Sequence, residues 1–345
     1  MPDWCLRKAP GGTRRQDKPM PKKRVTLVHN PLAGDDRQPT AGQLNALIEE
    51  AGFKVRYQST KDAGWEKVLA QPADIIAVAG GDGTIARVAK GLVNSGVPIT
   101  VLPLGTANNI SKTLGISDLY ITELIRSWKT SDRRSVDVGT ALGPWGKRNF
   151  IEGFGAGLLA NLMGKAESSE TLENLMDAEP KVIYAQELFR DHLATSKAVD
   201  IEATLDGQDI SGHCLMFEVL NMQFVGPNLF LAPNAANGEF EVVCVTEKHR
   251  SSLQKHVRYW QEGKLRQHAF KTYRGKSLRL QWTGFKVHID DKIWPDGGMK
   301  TSKAKSEIQL EIQPGALQFL VPSKVRDLEK SASKQKAKGK KGGKQ

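Results

Sequence analysis

"AVAGGDGTIARVAKGL", residues 77–92, decides how the chain is read. An apolar run ending at Ala79 meets Gly80, Gly81, Asp82 and Gly83. Ile85, Val88, Ala89, Leu92 and Val93 then recur at helical intervals. Asp-Gly alone signals a hairpin, but the helical spacing behind it makes this element strand, glycine loop, helix. In an open parallel sheet such a loop lies at the carboxyl end of its strand, where ligands bind. Glycines let a phosphate approach the backbone, and the first amides of the helix offer unpaired donors with a partial positive charge. The loop therefore reads as a phosphate cradle. It matches neither common type. Gly81-x-Gly83-x-x-Ala86 lacks the acid a dinucleotide site needs about 20 residues on, and a GxxxxGK[ST] loop is absent.

The pattern repeats on both sides. "RVTLVHN" (24–30) is a buried strand running into "PLAGDD", and "AGQLNALIEEAG" (41–52) is a helix that stops at Gly52. "FKVRYQST" (53–60), "ADIIAVAG" (73–80) and "VPITVLPL" (97–104) supply three more strands, with a short helix around Trp65, Val68 and Leu69. Strands alternating with helices imply right-handed crossovers and a parallel sheet. Beyond about residue 136 short Val, Ile, Phe and Thr runs take over. "AVDIEATLDGQDI" (198–210) holds an Asp-Gly hairpin, and "HCLMFEVLNM", "EFEVVCVTE", "SLRLQW", "FKVHIDD" and "EIQLEIQPGALQFLV" follow. Helices interrupt near 170–195 and 251–263. The expected fold is α/β. A parallel-sheet nucleotide-binding domain spans 22–138, and an antiparallel β-sandwich spans 139–322, whose last strands can return to the first domain. Residues 1–21 and 323–345 are expected to be disordered.

Composition bounds the function. Hydrophobic residues at 39% and charged residues at 26% suit a globular protein. Cys5, Cys214 and Cys244 are odd in number and far apart, which argues against a disulfide framework and for a reducing compartment. The seven histidines form no HExxH, which argues against a zinc hydrolase. No secretory signal and no apolar run of spanning length is read, so a cytoplasmic location is expected. A net charge of +12 implies an anionic partner. Seven lysines between Lys330 and Lys344 fit an anionic membrane surface; nucleic acid ranks last, since the tail has no interleaved aromatics. Oligomeric state is left open, a dimer included.

Two further loops reach the same edge of the sheet: "HNPLAG" (29–34) after the first strand and "LPLGTANNISKTLGI" (102–116) after the fourth, with Thr106, Asn108 and Asn109 before a short helix. Three such loops make a nucleotide cleft. N-P-x-x-G, GGDGT and P-x-G-T-A-N, with "VDVG" (136–139), "FGAGLLA" (154–160), "LAPNAANGEFEVV" (231–243) and "VHIDDKIW" (287–294), resemble the diacylglycerol kinase catalytic family. That family includes bacterial lipid kinases and sphingosine kinases and is more distantly similar to NAD kinases.

The resemblance implies transfer of the γ-phosphoryl of ATP, with Mg²⁺, to a lipid hydroxyl in a cleft between the two domains, by a protein peripheral to the inner membrane face and active in phospholipid biosynthesis. The nucleotide would lie against Asn30, Pro31, Leu32, Ala33, Gly34, Thr60, Gly80, Gly81, Asp82, Gly83, Thr84, Thr106 and Asn108. Asp82 would meet Mg²⁺ indirectly, Asn234 marks a structural metal position, and Asp290, with Asp82 and Asp291, would be catalytic. Five positions depart from the family pattern: Arg87 and Lys292 replace glutamates, while Asn109, Asn234 and Asn237 replace aspartates. Either Asp290 or Asp291 serves as base, or the chain is a nucleotide- or lipid-binding regulator without chemistry. A soluble metabolite kinase of the NAD kinase type is the other alternative.

Overall fold

The computed structural model describes residues 22–323, apart from 36, 167–170, 172–174, 176, 236, 263, 265–269 and 296–304. The stretch 1–21 and the lysine-rich tail lie outside the described residues.

Four strands open the fold: β1 (Arg24–His29), β2 (Lys54–Ser59), β3 (Ile75–Gly80) and β4 (Ile99–Pro103). They are parallel, in the order β2-β1-β3-β4. β3 is buried at all six positions, as a strand covered on both faces must be. Helix α1 (Ala41–Glu50) starts at a capping box between Thr40 and Gln43 and buries Leu44 and Ile48. Helix α2 (Asp82–Gly91) begins inside GGDGT and buries Ile85, Ala86, Val88 and Ala89. The glycine loop is thus the strand–helix joint its spacing implied. Two short helices follow, α3 (Asn109–Thr113) and α4 (Ile121–Ser127).

The rest is mainly antiparallel. β5 (Asp132–Gly143) and β6 (Gly146–Phe150) form a hairpin, and β7 (Gly153–Gly157) leads into α5 (Leu158–Ala166) and α6 (Ala178–Thr195). Then come β8 (Val199–Leu205), β9 (Gln208–Asp209), β10 (Gly212–Leu220), β11 (Phe224–Val225), β12 (Leu229–Phe230) and β13 (Phe240–Thr246). Helix α7 (Arg250–Gln261) precedes β14 (Lys271–Gly275), β15 (Ser277–Trp282), β16 (Val287–Ile289), β17 (Lys292–Trp294) and β18 (Ser306–Val321). The Asp206-Gly207 turn joins β8 to β9 with φ of +48° and +83°, the left-handed pair a tight hairpin needs.

β18 joins the two halves. Its first part pairs with β15, its last part pairs in parallel with β4 at Phe319, and β5 runs antiparallel along it with a register shift between Gln313 and Leu317. Ala316, Leu317, Phe319, Leu320 and Val321 consequently belong to the core of the parallel sheet, while Ile308 and Leu310 belong to the core beneath the antiparallel strands. A third core packs α5, α6 and α7 on β10 and β13 through Leu159, Phe189, Val243, Leu253 and Trp260. Cys214 and Cys244, 30 residues apart, lie on adjacent strands with their Sγ atoms 2.6 Å apart as free thiols. Sequence separation said nothing about this, because strand pairing set it.

Candidate functional site

The site is built from the carboxyl ends of β1, β3 and β4. After β1, the Asn30 amide donates to Ala79 O at 2.9 Å, and the Asn30 side chain reaches Thr84 Oγ1 at 3.4 Å. Asn30 Oδ1 accepts from the Leu32 amide at 3.2 Å, which curls the loop back. Gly34 has φ +79°, and a Cβ there would strike the Leu104 carbonyl; only glycine suits both conditions. Thr60, at the end of β2, ties its amide to His29 O at 2.8 Å. Pro31 and Leu32 are exposed, Leu32 by 75%. The edge expected to receive the nucleotide therefore carries Asn30–Gly34, Thr60 and Gly80–Thr84 together.

The loops after β3 and β4 touch backbone to backbone. A Cβ on Gly105 would land on the Cα of Gly81, so both positions need bare main chain. Asp82 locks the contact: its Oδ2 accepts from the Asn109 amide and its Oδ1 from the Ile110 amide, each at 2.9 Å. The acid of GGDGT thus caps α3 of the neighbouring loop. Burial pushes its carboxyl up, against these two amides and Lys112. With both oxygens engaged, Asp82 acts here as an organiser. Asn108 is likewise internal. At φ +55° its Oδ1 accepts from the Gly105 amide and its Nδ2 donates to Gly105 O, closing the loop on itself. Thr106 and Ala107 remain half-buried at the rim.

The second half contributes the turn between β16 and β17. Asp290 sits at φ +50° with a side chain only 1% exposed. Its Oδ1 accepts from the amides of Ile151, Glu152 and Gly153 at 3.0, 2.8 and 3.3 Å, and Lys90 Nζ stands 2.6 Å from Oδ2. A carboxylate so occupied is held by backbone amides and Lys90. The next residue differs. Asp291 is 51% exposed on its side chain, and a Cβ on Gly83 would stand 3.2 Å from its Oδ2. Asp290 is thus buried as a clamp, and Asp291 faces the glycine loop. Lys292 points to solvent, 70% exposed, 3.8 Å from Asp291.

Sequence reasoning missed two participants. Lys90, in the last turn of α2, ties that helix to Asp290 across the cleft. Glu152, in the connection from β6 to β7, is 8% exposed and accepts from Asn109 Nδ2 at 3.1 Å. Burial first, then the charges of Asp82 and Asp290, push its carboxyl well above the usual range. A lone acid in the otherwise apolar "FIEGF" run was the available signal.

At Asn234 the surrounding contacts are local. Asn234 turns its amide and side chain to Glu241, at 2.9 and 3.5 Å, and Asn237 Nδ2 donates to Asn234 O at 2.7 Å. Among the described residues no group of three or more His, Cys, Asp or Glu is placed to hold a metal ion. Arg87 is also spent locally, paired with Glu66 and lying 4.9 Å from the Trp65 ring centroid.

Residues 24–141 match the family model of the diacylglycerol kinase catalytic domain. The α/β lobe is similar to the diacylglycerol kinase catalytic domain. Over 233 residues the chain is 27% identical to a diacylglycerol kinase of Bacillus subtilis, covering 65% of this chain and 74% of the relative. It is 26% identical over 246 residues to a diacylglycerol kinase of Staphylococcus aureus, covering 67% and 73%. A crystal structure of a diacylglycerol kinase from Bacillus anthracis has the same fold, with a TM-score of 0.60 at 20% identity over 87% of this chain and 97% of that one. Likeness to these relatives supports a kinase, a phosphotransferase. Among the described residues no helix is long and apolar enough to cross a membrane.

Proposed function

We propose that this diacylglycerol kinase relative transfers the γ-phosphoryl of ATP to a hydroxyl of diacylglycerol or a related long-chain lipid. The observation that carries the reading is the placement of Asp291 against Gly83, where an exposed carboxylate from the antiparallel half meets the glycine loop. The loops fit a polyphosphate. Asp82 and Gly83 open α2, so their amides have no partner within the helix, and Gly83 is exposed. Asn30–Gly34, Thr60, Gly80–Thr84 and Thr106 would hold the nucleotide, with Asn108 shaping its loop from within. Phosphoryl transfer requires positioning and charge stabilisation more than covalent chemistry. Mg²⁺ would arrive with ATP and neutralise phosphate charge; no step is assigned to it. Asp291, exposed and beside Gly83, would take the proton of the acceptor hydroxyl. The lipid would come from an anionic membrane face, reached through the lysine-rich tail.

The test is transfer of labelled phosphate from ATP-Mg²⁺ to diacylglycerol in mixed micelles. The full chain should be active, and Asp291→Asn should lower kcat by about 10²–10⁴-fold. Phosphorylation of NAD with none of lipid would defeat the reading. So would nucleotide and lipid binding without transfer.

A further inference from the structure

Glu152 joins the two halves of the cleft through three different groups. Its side chain accepts from Asn109 Nδ2 at 3.1 Å, its amide donates to Asp290 Oδ1 at 2.8 Å, and its carbonyl accepts from the Asn221 amide at 2.9 Å. The second proton of Asn109 Nδ2 goes to Gly226 O at 2.8 Å. Asn109 is the first residue of α3, and its own amide is held by Asp82. One residue thus touches the helix that Asp82 caps and, through its main chain, the clamp beneath Asp291.

We infer that Glu152 is a positioning residue that sets the distance between the glycine loop and the Asp291 turn. The inference rests on the phosphotransferase reading above for its kinetic consequence, and on geometry alone for its structural one. The Glu152 side chain works as a hydrogen-bond acceptor, so an amide oxygen at the same place does the same job. Loss of the bond frees the first turn of α3. Asp82 then loses its fixed partners, and Gly83 shifts against Asp291. A displacement of about 1 Å at a reacting centre costs up to about 10²-fold in rate. The nucleotide contacts at Asn30–Gly34 and Thr60 are formed by other elements, so affinity for ATP stays.

Two variants separate this role from others. Glu152→Met, close in length and without an acceptor oxygen, should lower kcat about 10–100-fold and leave the KM for ATP within about threefold. Glu152→Gln should keep kcat near the wild-type value. Two results would overturn the inference: full kcat in Glu152→Met, or a Glu152→Gln variant as slow as Glu152→Met, which would make the acidic proton or charge the essential feature. If Glu152→Met does not fold, Asn109→Ser removes that bond together with the one to Gly226 O and should show the same split. Hydrogen exchange reads the positioning without any lipid. Glu152→Met should speed exchange of the Asn109 and Ile110 amides about tenfold, and Glu152→Gln should not. Unchanged exchange in Glu152→Met defeats the inference even if the wild type is an active lipid kinase. An inactive wild type whose amides respond as stated defeats only the kinase reading.

Discussion

Asp290 and Asp291 show how far one position along a chain can change a carboxylate's work. The first is held at 1% side-chain exposure by backbone amides and Lys90, the second at 51% beside Gly83. Asp290→Asn would place an amide NH₂ toward backbone donors and leave Lys90 unpaired at 29% exposure. It should cost about 2–4 kcal/mol of folding stability, read from denaturant midpoints. Asp291→Asn should leave the midpoint unchanged while removing turnover. Equal stability losses in the two variants would refute this division of roles. An acidic pair at a strand end was legible in the sequence, and so was GGDGT. What was hidden is which acid turns inward, because the amides that hold Asp290 come from positions 137–139 residues away. Asn108 was misleading for a related reason. Its polarity suggested a ligand group, whereas its left-handed backbone and two bonds to Gly105 make it part of the loop.

Among the elements, the loops after β3 and β4 depend on each other. Gly105→Ala would drive a methyl into the main chain at Gly81, so relief requires the loops to part. Nucleotide affinity by calorimetry should fall at least tenfold, equivalent to about 1.4 kcal/mol, whereas Gly42→Ala, with nothing near its Cβ and no left-handed backbone, should retain it. Deeper in the antiparallel half, His288 Nε2 lies 2.8 Å from Glu218 Oε2, both fully buried, and His288 Nδ1 lies 3.2 Å from the Asp290 carbonyl. Burial pushes the Glu218 carboxyl up. Burial pulls His288 down, but the charge and hydrogen bond of Glu218 outweigh it and leave His288 raised. As a pair they keep a proton that an unfolded histidine releases above its ordinary value of 6.5. Their contribution is therefore full below that pH and declines as pH rises through the folded value. Melting temperature followed from pH 6 to about 9 should fall more steeply in the wild type than in Glu218→Gln; parallel curves would contradict this. Helix and strand types were readable from periodicity in most of these elements. The pairing of Glu218 with His288 was not, since it depends on which strands become neighbours.

For the molecule as a whole, charge and lobe arrangement have different consequences. Seven lysines from Lys330 to Lys344 are each worth about 1 kcal/mol near an anionic bilayer, less in salt. Removing residues 324–345 should abolish sedimentation with phosphatidylglycerol vesicles at low ionic strength and leave transfer to lipid in detergent micelles intact. Retained sedimentation would place the membrane contact in the folded part. The α/β and antiparallel halves were legible because their repeating patterns differ, 3.6 and 2. The cleft between them was legible only as an expectation, since Lys90, Glu152 and Asp290 meet through packing rather than spacing.

Because Phe319 and Leu320 fill the core begun by Val25 and Leu27, the amino-terminal lobe lacks a wall until translation has passed residue 321. Most multidomain proteins let their first domain settle while later ones are being made. Here the nascent lobe has to wait, its sheet edge at β4 uncovered, and the phosphate-binding loops take their final form only after residue 321 has left the ribosome.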